Sequence, residues 1–481
     1  REALWMEPIY RNVFGLLTEF GDAEIASLIA PRPLLIEASR HPDVSAPEER
    51  AEDSYAAPGS IITPPLNQVE SEVERVRSLT ADLSPPPVLE VIGGGESDPG
   101  SGALLARFLE LLGARLQPDG ESPMATLDPP ELPGRPMRQF QQACSYIHNL
   151  WLGSQGRREA FWSNADFTSA AALESTSGPY REILNTEVLG ALEPASVPMQ
   201  PRTRLIYSEP QYTGYEVMLN VFAEVFACGI LLIPNDIAPG ERRPVVVCQH
   251  GLEGRPQDTC EEGEQFVYYS AYARELTKQG YVTYSPQNPY IGAVRFRQVQ
   301  RKAQPLHLTL MSFIVRQHER TLEWLAEQPF VDAARIGFYG ISYGGKTAMR
   351  VPAVLPGYCL SICSADYNEW VWKNVTMISP YSYLLTNQYD MPEFRLGETF
   401  NYAELSWLIF PRPFMVERGH EDGVAPDEWV AYEFARTQRV YDMLGMGDRV
   451  EIEYFNGGHE IHSTGTFEFL RRHLGPIKQC P

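Results

Sequence analysis

A serine flanked by glycines follows an apolar run near position 340. The segment "RIGFYGISYGGKTAMR" begins at Arg335 and places Gly340, Ser342 and Gly344 in the pattern Gly-x-Ser-x-Gly. The apolar residues before the serine predict a strand, and the residues from Gly344 predict a helix. A sharp strand-to-helix turn needs small neighbours and lifts a serine hydroxyl above the sheet. We therefore predict that Ser342 is a nucleophile, the alternative being a glycine-rich helix start with an incidental serine.

A serine hydroxyl needs a base to remove its proton, and the base needs a carboxylate to orient it. Both residue types follow Ser342 in the order acid, then histidine. Asp422 lies in the loop after the predicted strand "RPFMVERG", and His459 follows the glycine pair that ends "VEIEYFNGG". We predict that these two residues complete a catalytic triad with Ser342.

Two other residues compete for these roles. His462 lies three residues after His459 but begins the next predicted helix, and Glu417 lies inside a predicted strand. We favour His459 as the base, Asp422 as the acid, and a structural role for Glu417.

Acyl transfer also needs hydrogen-bond donors for the oxyanion. The backbone N–H of Tyr343, directly after the nucleophile, is one predicted donor. The second is the N–H of Leu252 in the loop after the predicted strand "PVVVCQHG". His250 in that loop is predicted to be structural.

The elements that must position these residues alternate in type. From about residue 244, apolar strand-like runs alternate with helical stretches up to the C-terminus, which predicts an α/β fold with a mostly parallel, doubly wound sheet. We place one complete domain over residues 136–481. Residues 119–135 are rich in Pro, Gly and acidic residues and are predicted to be a linker.

The phrase Pro-Arg-Pro occurs twice in similar surroundings. "IAPRPLLIEASRHPD" begins at Ile29 and "IFPRPFMVERGHEDG" begins at Ile409, 380 positions later. Residues 20–113 and 400–475 both predict the order β-α-β-α at the end of an α/β unit. We interpret residues 1–118 as the C-terminal part of a degenerate repeat of the later domain.

The first copy lacks residues that the predicted chemistry needs. It has no nucleophile segment, Glu96 or Ser97 stands where the second copy has His459, and Asp43 is its candidate acid. Two strands alone also leave an unpaired sheet edge. We therefore expect this copy to pair with an upstream segment or with another chain.

Composition restricts the partners. The chain carries 62 acidic and 40 basic side chains, a net charge of -22, which opposes binding to nucleic acid or to anionic membranes. No apolar run reaches the roughly 18 residues of a membrane-spanning helix, so we expect a soluble protein. The chain begins with Arg1, so a leader could have been removed. The compartment therefore stays unknown, with secreted and periplasmic locations open.

Metal binding and disulfides have little support in the sequence. The seven cysteines lack metal-ligand spacing, and Cys248, Cys359 and Cys363 lie in apolar runs typical of a core. The "HEIH" at 459–462 lacks the H-E-x-x-H spacing of a zinc helix. We predict no metal site.

Residues from about 200 to 475 resemble the α/β-hydrolase superfamily. They are most similar to its dienelactone-hydrolase and acetyl-xylan-esterase-like branch, through "HGLEG", "GISYG", the strand-terminal Asp422 and the late "GGH". The resemblance implies hydrolysis of a small-molecule or polymer-borne carboxylic ester without a cofactor. Tyr343 replaces the glutamine that often follows the nucleophile in carbohydrate esterases, so an acetylated sugar is not implied.

An aromatic segment over residues 366–399 separates the nucleophile from the acid. It contains Trp370, Trp372 and Tyr381, in the region where the resembling fold places its substrate walls. We predict substrate contacts for these three residues, with aromatic core packing as an equal alternative.

Three functions remain for comparison with the structure. The first is a serine esterase. The second is a peptidase of the prolyl-oligopeptidase type, although no propeller-like array of strands precedes the domain. The third is a non-catalytic binding or assembly protein on a hydrolase scaffold.

Overall fold

The structure is a computed structural model that describes residues 11–40, 61–114, 134–292, 295–384 and 391–475. The chain divides into two compact units. Unit 1 comprises Arg1–Cys144 with Arg301–His307, and unit 2 comprises Ser145–Gln300 with Leu308–Pro481. Asp43 and most of the predicted linker lie outside the described residues.

Unit 1 contains a small parallel sheet with helices. Its two strands pair in parallel, with Leu34 opposite Leu89. The elements in chain order are α1 (Leu16–Glu19), α2 (Asp22–Ser27), β1 (Leu34–Glu37), α3 (Leu66–Leu79), β2 (Leu89–Ile92) and α4 (Gly102–Leu111). From β1 onward this is the β-α-β-α order predicted from the sequence. Helix α5 (Gly134–Leu152) continues from unit 1 into unit 2.

Unit 2 is built on one large sheet. Its strands are β3 (Arg202–Ser208), β4 (Tyr212–Asn220), β5 (Phe226–Pro234), β6 (Arg243–Gln249), β7 (Val282–Pro286), β8 (Val331–Ile341), β9 (Leu360–Ser364), β10 (Phe414–Gly419) and β11 (Val450–Phe455). Within the described residues they lie in the order β11-β10-β9-β8-β6-β7-β5-β4-β3.

The sheet is mostly parallel, as predicted, and has an antiparallel end that makes it mixed. Strands β7, β6, β8, β9, β10 and β11 pair in parallel, whereas β3, β4 and β5 pair antiparallel with their neighbours. The connections from β3 to β4 and from β4 to β5 are too short for the crossover that parallel neighbours need. These short connections explain the antiparallel pairing of β3 with β4 and of β4 with β5, whereas β5 and β7 are separated in the chain by β6.

Helices cover both faces of this sheet. The helices of unit 2 after α5 are α6 (Ser154–Phe161), α7 (Ala170–Thr176), α8 (Gly178–Ile183), α9 (Phe266–Tyr269), α10 (Tyr272–Lys278), α11 (Arg295–Ala303, continuing into unit 1), α12 (Leu310–Ala326), α13 (Tyr343–Val354), α14 (Trp370–Val375), α15 (Leu396–Thr399), α16 (Tyr402–Ile409), α17 (Asp427–Met443) and α18 (Thr464–Leu474). Alternate residues of β6 enter two apolar clusters, Val245 and Val247 in one, Val246 and Cys248 in the other. Since successive strand residues point to opposite faces, the clusters are the two sides of the core.

The buried strands and the helix caps explain the local structure. Every residue of β6 is buried, and its run of valines suits a strand enclosed on both faces. At the start of α12 the hydroxyl of Thr309 accepts the N–H of Met311 at 3.1 Å, which satisfies a free helix donor. The described cysteines are free thiols, and Cys248 and Cys363 are fully buried.

Candidate active site

Ser342 occupies a strained turn between β8 and α13. Its backbone has φ 59° and ψ −120°, and its N–H donates to Ser364 O at 2.9 Å. A Cβ on Gly340 would lie 2.2 Å from Gly344 O, and one on Gly344 would lie 2.3 Å from Gln249 O. Both positions therefore need glycine, because the backbone passes too closely for any side chain. This is the turn that the Gly-x-Ser-x-Gly pattern predicts.

His459 and Asp422 lie together after the last two strands of the sheet. Nδ1 of His459 is 2.9 Å from Oδ1 of Asp422, which also accepts the N–H of Val424 at 2.9 Å. Nη1 of Arg418 lies 3.1 Å from Oδ2 of Asp422. The carboxylate is buried, whereas the side chain of His459 is 29% exposed. The acid is thus held in place and the imidazole remains accessible.

The loop after β6 lies directly beside the serine. A Cβ on Gly251 would come within 3.1 Å of Ser342 Cβ, and the N–H of Gly251 donates to the hydroxyl of Tyr269 at 3.0 Å. Leu252 lines the same cavity as Ser342. Among the described residues the N–H of Leu252 donates to no backbone acceptor.

His250 in the same loop is a buried cross-link. Its Nε2 accepts the N–H of Asn288 at 3.3 Å, so Nδ1 carries the proton and donates to Gly251 O at 2.7 Å. Burial lowers the pKa of His250 to about 4. A neutral histidine held by two backbone groups has the structural role expected from the sequence.

The loop that carries His459 is tied to the loop that carries Leu252. The N–H of Ile461 donates to Tyr268 O at 2.8 Å, and the next residue of α9, Tyr269, holds Gly251. Helix α9 thus links the two loops at the carboxyl ends of the strands. Among the described residues there is no recorded hydrogen bond from the hydroxyl of Ser342 to His459.

The rival residues are engaged elsewhere. Glu417 is buried and accepts hydrogen bonds from five groups: Tyr339 Oη, Ser364 Oγ, Thr466 Oγ1 and the backbone N–H groups of His462 and Ser463. Nδ1 of His462 lies 2.9 Å from Glu453, and its ring stacks on Phe455 with centroids 4.3 Å apart. Neither side chain is positioned to serve Ser342.

A cavity of about 370 Å³ lies against the serine. Tyr381 lines it, as predicted, but Trp370 and Trp372 are not among its lining residues. Trp370 is buried, and Nζ of Lys346 lies 4.7 Å from the centroid of its ring. Trp372 packs on Trp151, with their ring centroids 4.0 Å apart. For these two tryptophans the structure shows the packing alternative.

Several charged residues near the serine were not predicted. Lys346, Lys373 and Asp366 line the cavity, and Arg418 pairs with the proposed acid. Lys346 could have been found, because it lies four residues after Ser342 and therefore one helical turn along the same face. Lys373 gave no such pattern, since its burial depends on how α14 packs.

The described part of the chain contains neither a metal-binding cluster nor a membrane-spanning helix. No group of three or more His, Cys, Asp or Glu residues there could hold a metal ion. No helix in those residues has the length and apolar character needed to cross a membrane.

Known proteins share this architecture. No protein-family model matches the chain. The curated protein "Putative hydrolase YtaP" of Bacillus subtilis (strain 168) is 24% identical over 224 residues, which are 45% of this chain and 73% of that protein. A solved structure of a "putative acetyl xylan esterase" from Bacteroides fragilis NCTC 9343 covers 69% of this chain and 89% of its own, with TM-score 0.52 and 15% identity. A glucuronoyl esterase from Solibacter usitatus covers 63% and 93%, with TM-score 0.47 and 14% identity.

The Bacteroides fragilis similarity shows a shared fold. The chain has an α/β fold with a mixed, largely parallel sheet and a serine at the strand-to-helix turn. The resemblance to α/β-hydrolases, and the narrower placement beside dienelactone hydrolases, stay predictions.

Proposed function

We propose that the protein is a serine hydrolase that cleaves carboxylic esters. The observation that carries the proposal is Ser342 at φ 59° between β8 and α13, facing a cavity also lined by Leu252. Such a turn costs backbone energy and persists where the surrounding structure enforces it, most often at functional sites. The esterases that share the fold give the same reaction class by analogy.

The proposed reaction proceeds through an acyl-enzyme. His459 takes the proton of Ser342 as its oxygen attacks the ester carbonyl, and Asp422 stabilises the resulting imidazolium. The imidazolium then protonates the departing alcohol, leaving an acyl group on the serine. Water deprotonated by His459 attacks this acyl group, the bond to Ser342 breaks as the imidazolium returns the proton to the serine oxygen, and the acid product leaves. The His459–Asp422 contact of 2.9 Å supports these roles.

The oxyanion formed in both steps needs two donors. We assign them to the N–H groups of Tyr343, at the first position of α13, and of Leu252. The hydrogen bond of Gly251 to Tyr269 supports this assignment, because it fixes the loop against Ser342 and leaves the next amide for the substrate.

Labelling with a fluorophosphonate probe tests the proposal. We expect one adduct, at Ser342, that is absent in Ser342→Ala and formed roughly 1,000-fold more slowly in His459→Ala. Hydrolysis of p-nitrophenyl acetate should follow the same pattern. A peptidase of the prolyl-oligopeptidase type would label equally but would cleave proline-containing peptides in preference to the ester. Absence of both labelling and turnover would leave the non-catalytic scaffold as the function.

We also propose that residues 1–118 are the C-terminal part of a degenerate copy, in which residues 20–113 correspond to residues 400–475. One supporting feature is a glutamate at the end of the first strand. Glu37 accepts the N–H groups of Gly100 and Ser101 at 2.7 and 2.9 Å. In unit 2, Glu417 accepts the two backbone amides directly before α18 at 3.2 and 3.1 Å.

A second supporting feature is a repeated polar cluster. In unit 1 Glu24 accepts the N–H of Gly21 and pairs with Arg75, while Glu72 accepts the N–H of Ala23. The same contacts recur in unit 2. Glu404 accepts the N–H of Asn401 and pairs with Arg436. Glu433 accepts the N–H of Ala403. Both clusters join the helix before the first strand to the helix after it.

The surfaces of the two copies differ. Phe400 and Leu408 are fully buried in unit 2, whereas Phe20 and Leu28, 380 positions earlier, are 39% and 65% exposed. We propose that a further polypeptide segment, equivalent to α13 and β9, covers this surface in unit 1. Sedimentation of the 481-residue chain tests the pairing, and a stable, monodisperse monomer across micromolar concentrations would contradict it.

A further inference from the structure

Two buried lysines line the cavity beside Ser342. Lys346 and Lys373 are 4% and 2% exposed, respectively, and both face the space of about 370 Å³ that Ser342 also lines. Lysine is almost never buried in proteins unless it is paired, because its ammonium group is strongly hydrated. The burial of these two ammonium groups therefore requires negatively charged or hydrogen-bonding partners.

The pairing of the two lysines is unequal. Nζ of Lys346 lies 3.5 Å from Glu393 and donates to Met391 O at 3.4 Å. Nζ of Lys373 donates to Val424 O and lies 4.5 Å from the ring centroid of Tyr383. An ammonium group has three donors. Within the described residues Lys373 has one recorded acceptor and no carboxylate at ion-pair distance.

The charges around the cavity do not balance among the described residues. Three positive groups, Lys346, Arg350 and Lys373, lie beside two carboxylates, Asp366 and Glu393, which leaves one positive charge in excess. Burial raises the pKa of Asp366, which favours its neutral form and so does not reduce this excess. Both carboxylate oxygens of Glu393 accept hydrogen bonds from the guanidinium group of Arg350. The carboxylate of Asp366 accepts a hydrogen bond from Tyr402.

Neighbouring charges do not remove this excess. Asp422 acts on Lys373, but Arg418 opposes it from the adjacent position. Glu253 lines the cavity on the side of Leu252, and burial raises its pKa, which favours the neutral carboxyl. Burial also lowers the pKa of Lys373 to about 8, so its ammonium form dominates near neutral pH. A bound anion would stabilise that form.

We propose that Lys373, supported by Lys346, binds a free carboxylate on the substrate, so that the enzyme prefers esters bearing a second, unesterified acid group. This inference rests on the proposed ester hydrolysis at Ser342. A single carboxylate matches the single excess charge and can accept the remaining donors of Lys373. Tyr381 and Tyr383 also line this cavity.

The test compares two isosteric esters. Monomethyl esters of the straight-chain diacids from succinate to pimelate are the acidic series, and the corresponding methyl ester amides are the neutral series. At the best chain length we expect kcat/KM for the acid to exceed that for the amide by at least tenfold. Lys373→Met should bring this ratio to near one, and Lys373→Arg should retain most of it. The ratio is independent of the folded fraction of a variant, because both esters are measured on the same preparation.

Lys278→Met is the matched control, since Lys278 pairs with Glu275 outside the cavity and its loss should leave the ratio unchanged. A wild-type ratio of one or less at every chain length would overturn the inference, as would a ratio that survives in Lys373→Met.

Calorimetry on Ser342→Ala separates this inference from the proposed function. The monomethyl ester of best length should bind this variant at least tenfold more tightly than its amide, and Lys373→Met should abolish the difference. Selective binding without turnover by the intact enzyme would refute ester hydrolysis alone. Turnover by the intact enzyme without selectivity would refute the carboxylate site alone.

Discussion

Nδ1 of His459 lies 2.9 Å from Oδ1 of Asp422, joining the loops that follow β11 and β10. The carboxylate is 2% exposed, so water screens its charge poorly. Its second oxygen lies 3.1 Å from Arg418. The pair is therefore arranged to fix one tautomer of the imidazole, with the proton on Nδ1 and the lone pair on Nε2.

Asp422→Asn should lower kcat/KM for p-nitrophenyl acetate by about 100-fold to 10,000-fold. The amide can hold His459 in the wrong tautomer and cannot stabilise the imidazolium. Asp427→Asn is the matched control, because Asp427 also pairs with Arg418 but meets a different histidine, His420. We expect this control to stay within about threefold of the wild type. Equal losses in the two variants would contradict the assignment of Asp422.

Glu417→Gln should destabilise the protein more than it slows the folded enzyme. Its carboxylate accepts five hydrogen bonds in the core, and a glutamine would turn an N–H donor towards some of those donors. We expect a loss of about 2–3 kcal/mol in the free energy of unfolding, measured with urea. Activity per fluorophosphonate-reactive site should fall less than tenfold. A loss as large as that of Asp422→Asn would make Glu417 the catalytic acid.

The sequence predicted those parts of the molecule that local patterns determine. The glycines around Ser342 and the strands before Asp422 and His459 are local features, and each predicted the position of its residue along the sheet. The antiparallel end of the sheet also depends on pairing between strands that are not consecutive in the sequence. Strand β5 pairs with β7, although β6 lies between them in the chain. The burial of Lys373 and the packing of Trp370 and Trp372 depend on contacts between distant segments, so residue type alone did not reveal them.

Gly344→Ala should destabilise the protein although alanine favours helices. A methyl group there would lie 2.3 Å from Gln249 O and 2.8 Å from His250 O, and backbone atoms cannot move aside cheaply. We expect a loss of about 3 kcal/mol. Gly156→Ala in α6 is the matched control, because nothing lies within 4 Å of the added group, and it should stabilise by about 0.5 kcal/mol. Urea unfolding of both variants measures the difference, and similar effects would show that the turn at Ser342 is looser than described.

His318 is buried with both ring nitrogens engaged. Nδ1 lies 2.6 Å from the hydroxyl of Tyr358, and Nε2 lies 3.1 Å from Oε1 of Gln249. Nε2 must donate to the amide oxygen, so Nδ1 accepts from the tyrosine and the ring is neutral. Burial lowers the pKa of His318 to about 3, from the ordinary value of 6.5.

Acid should therefore weaken the fold through this histidine. His318 takes up a proton below pH 6.5 in the unfolded chain but only near pH 3 in the folded chain. Its contribution to the free energy of unfolding is therefore fully present above pH 6.5 and is lost as the pH falls from 6.5 towards 3. At pH 5 the loss is about 2 kcal/mol relative to pH 7. His318→Gln removes the titration, so its free energy of unfolding should change by about 2 kcal/mol less between pH 7 and pH 5 than that of the wild type. If His318→Gln keeps the pH dependence of the wild type, the ring is charged or hydrated in the folded protein.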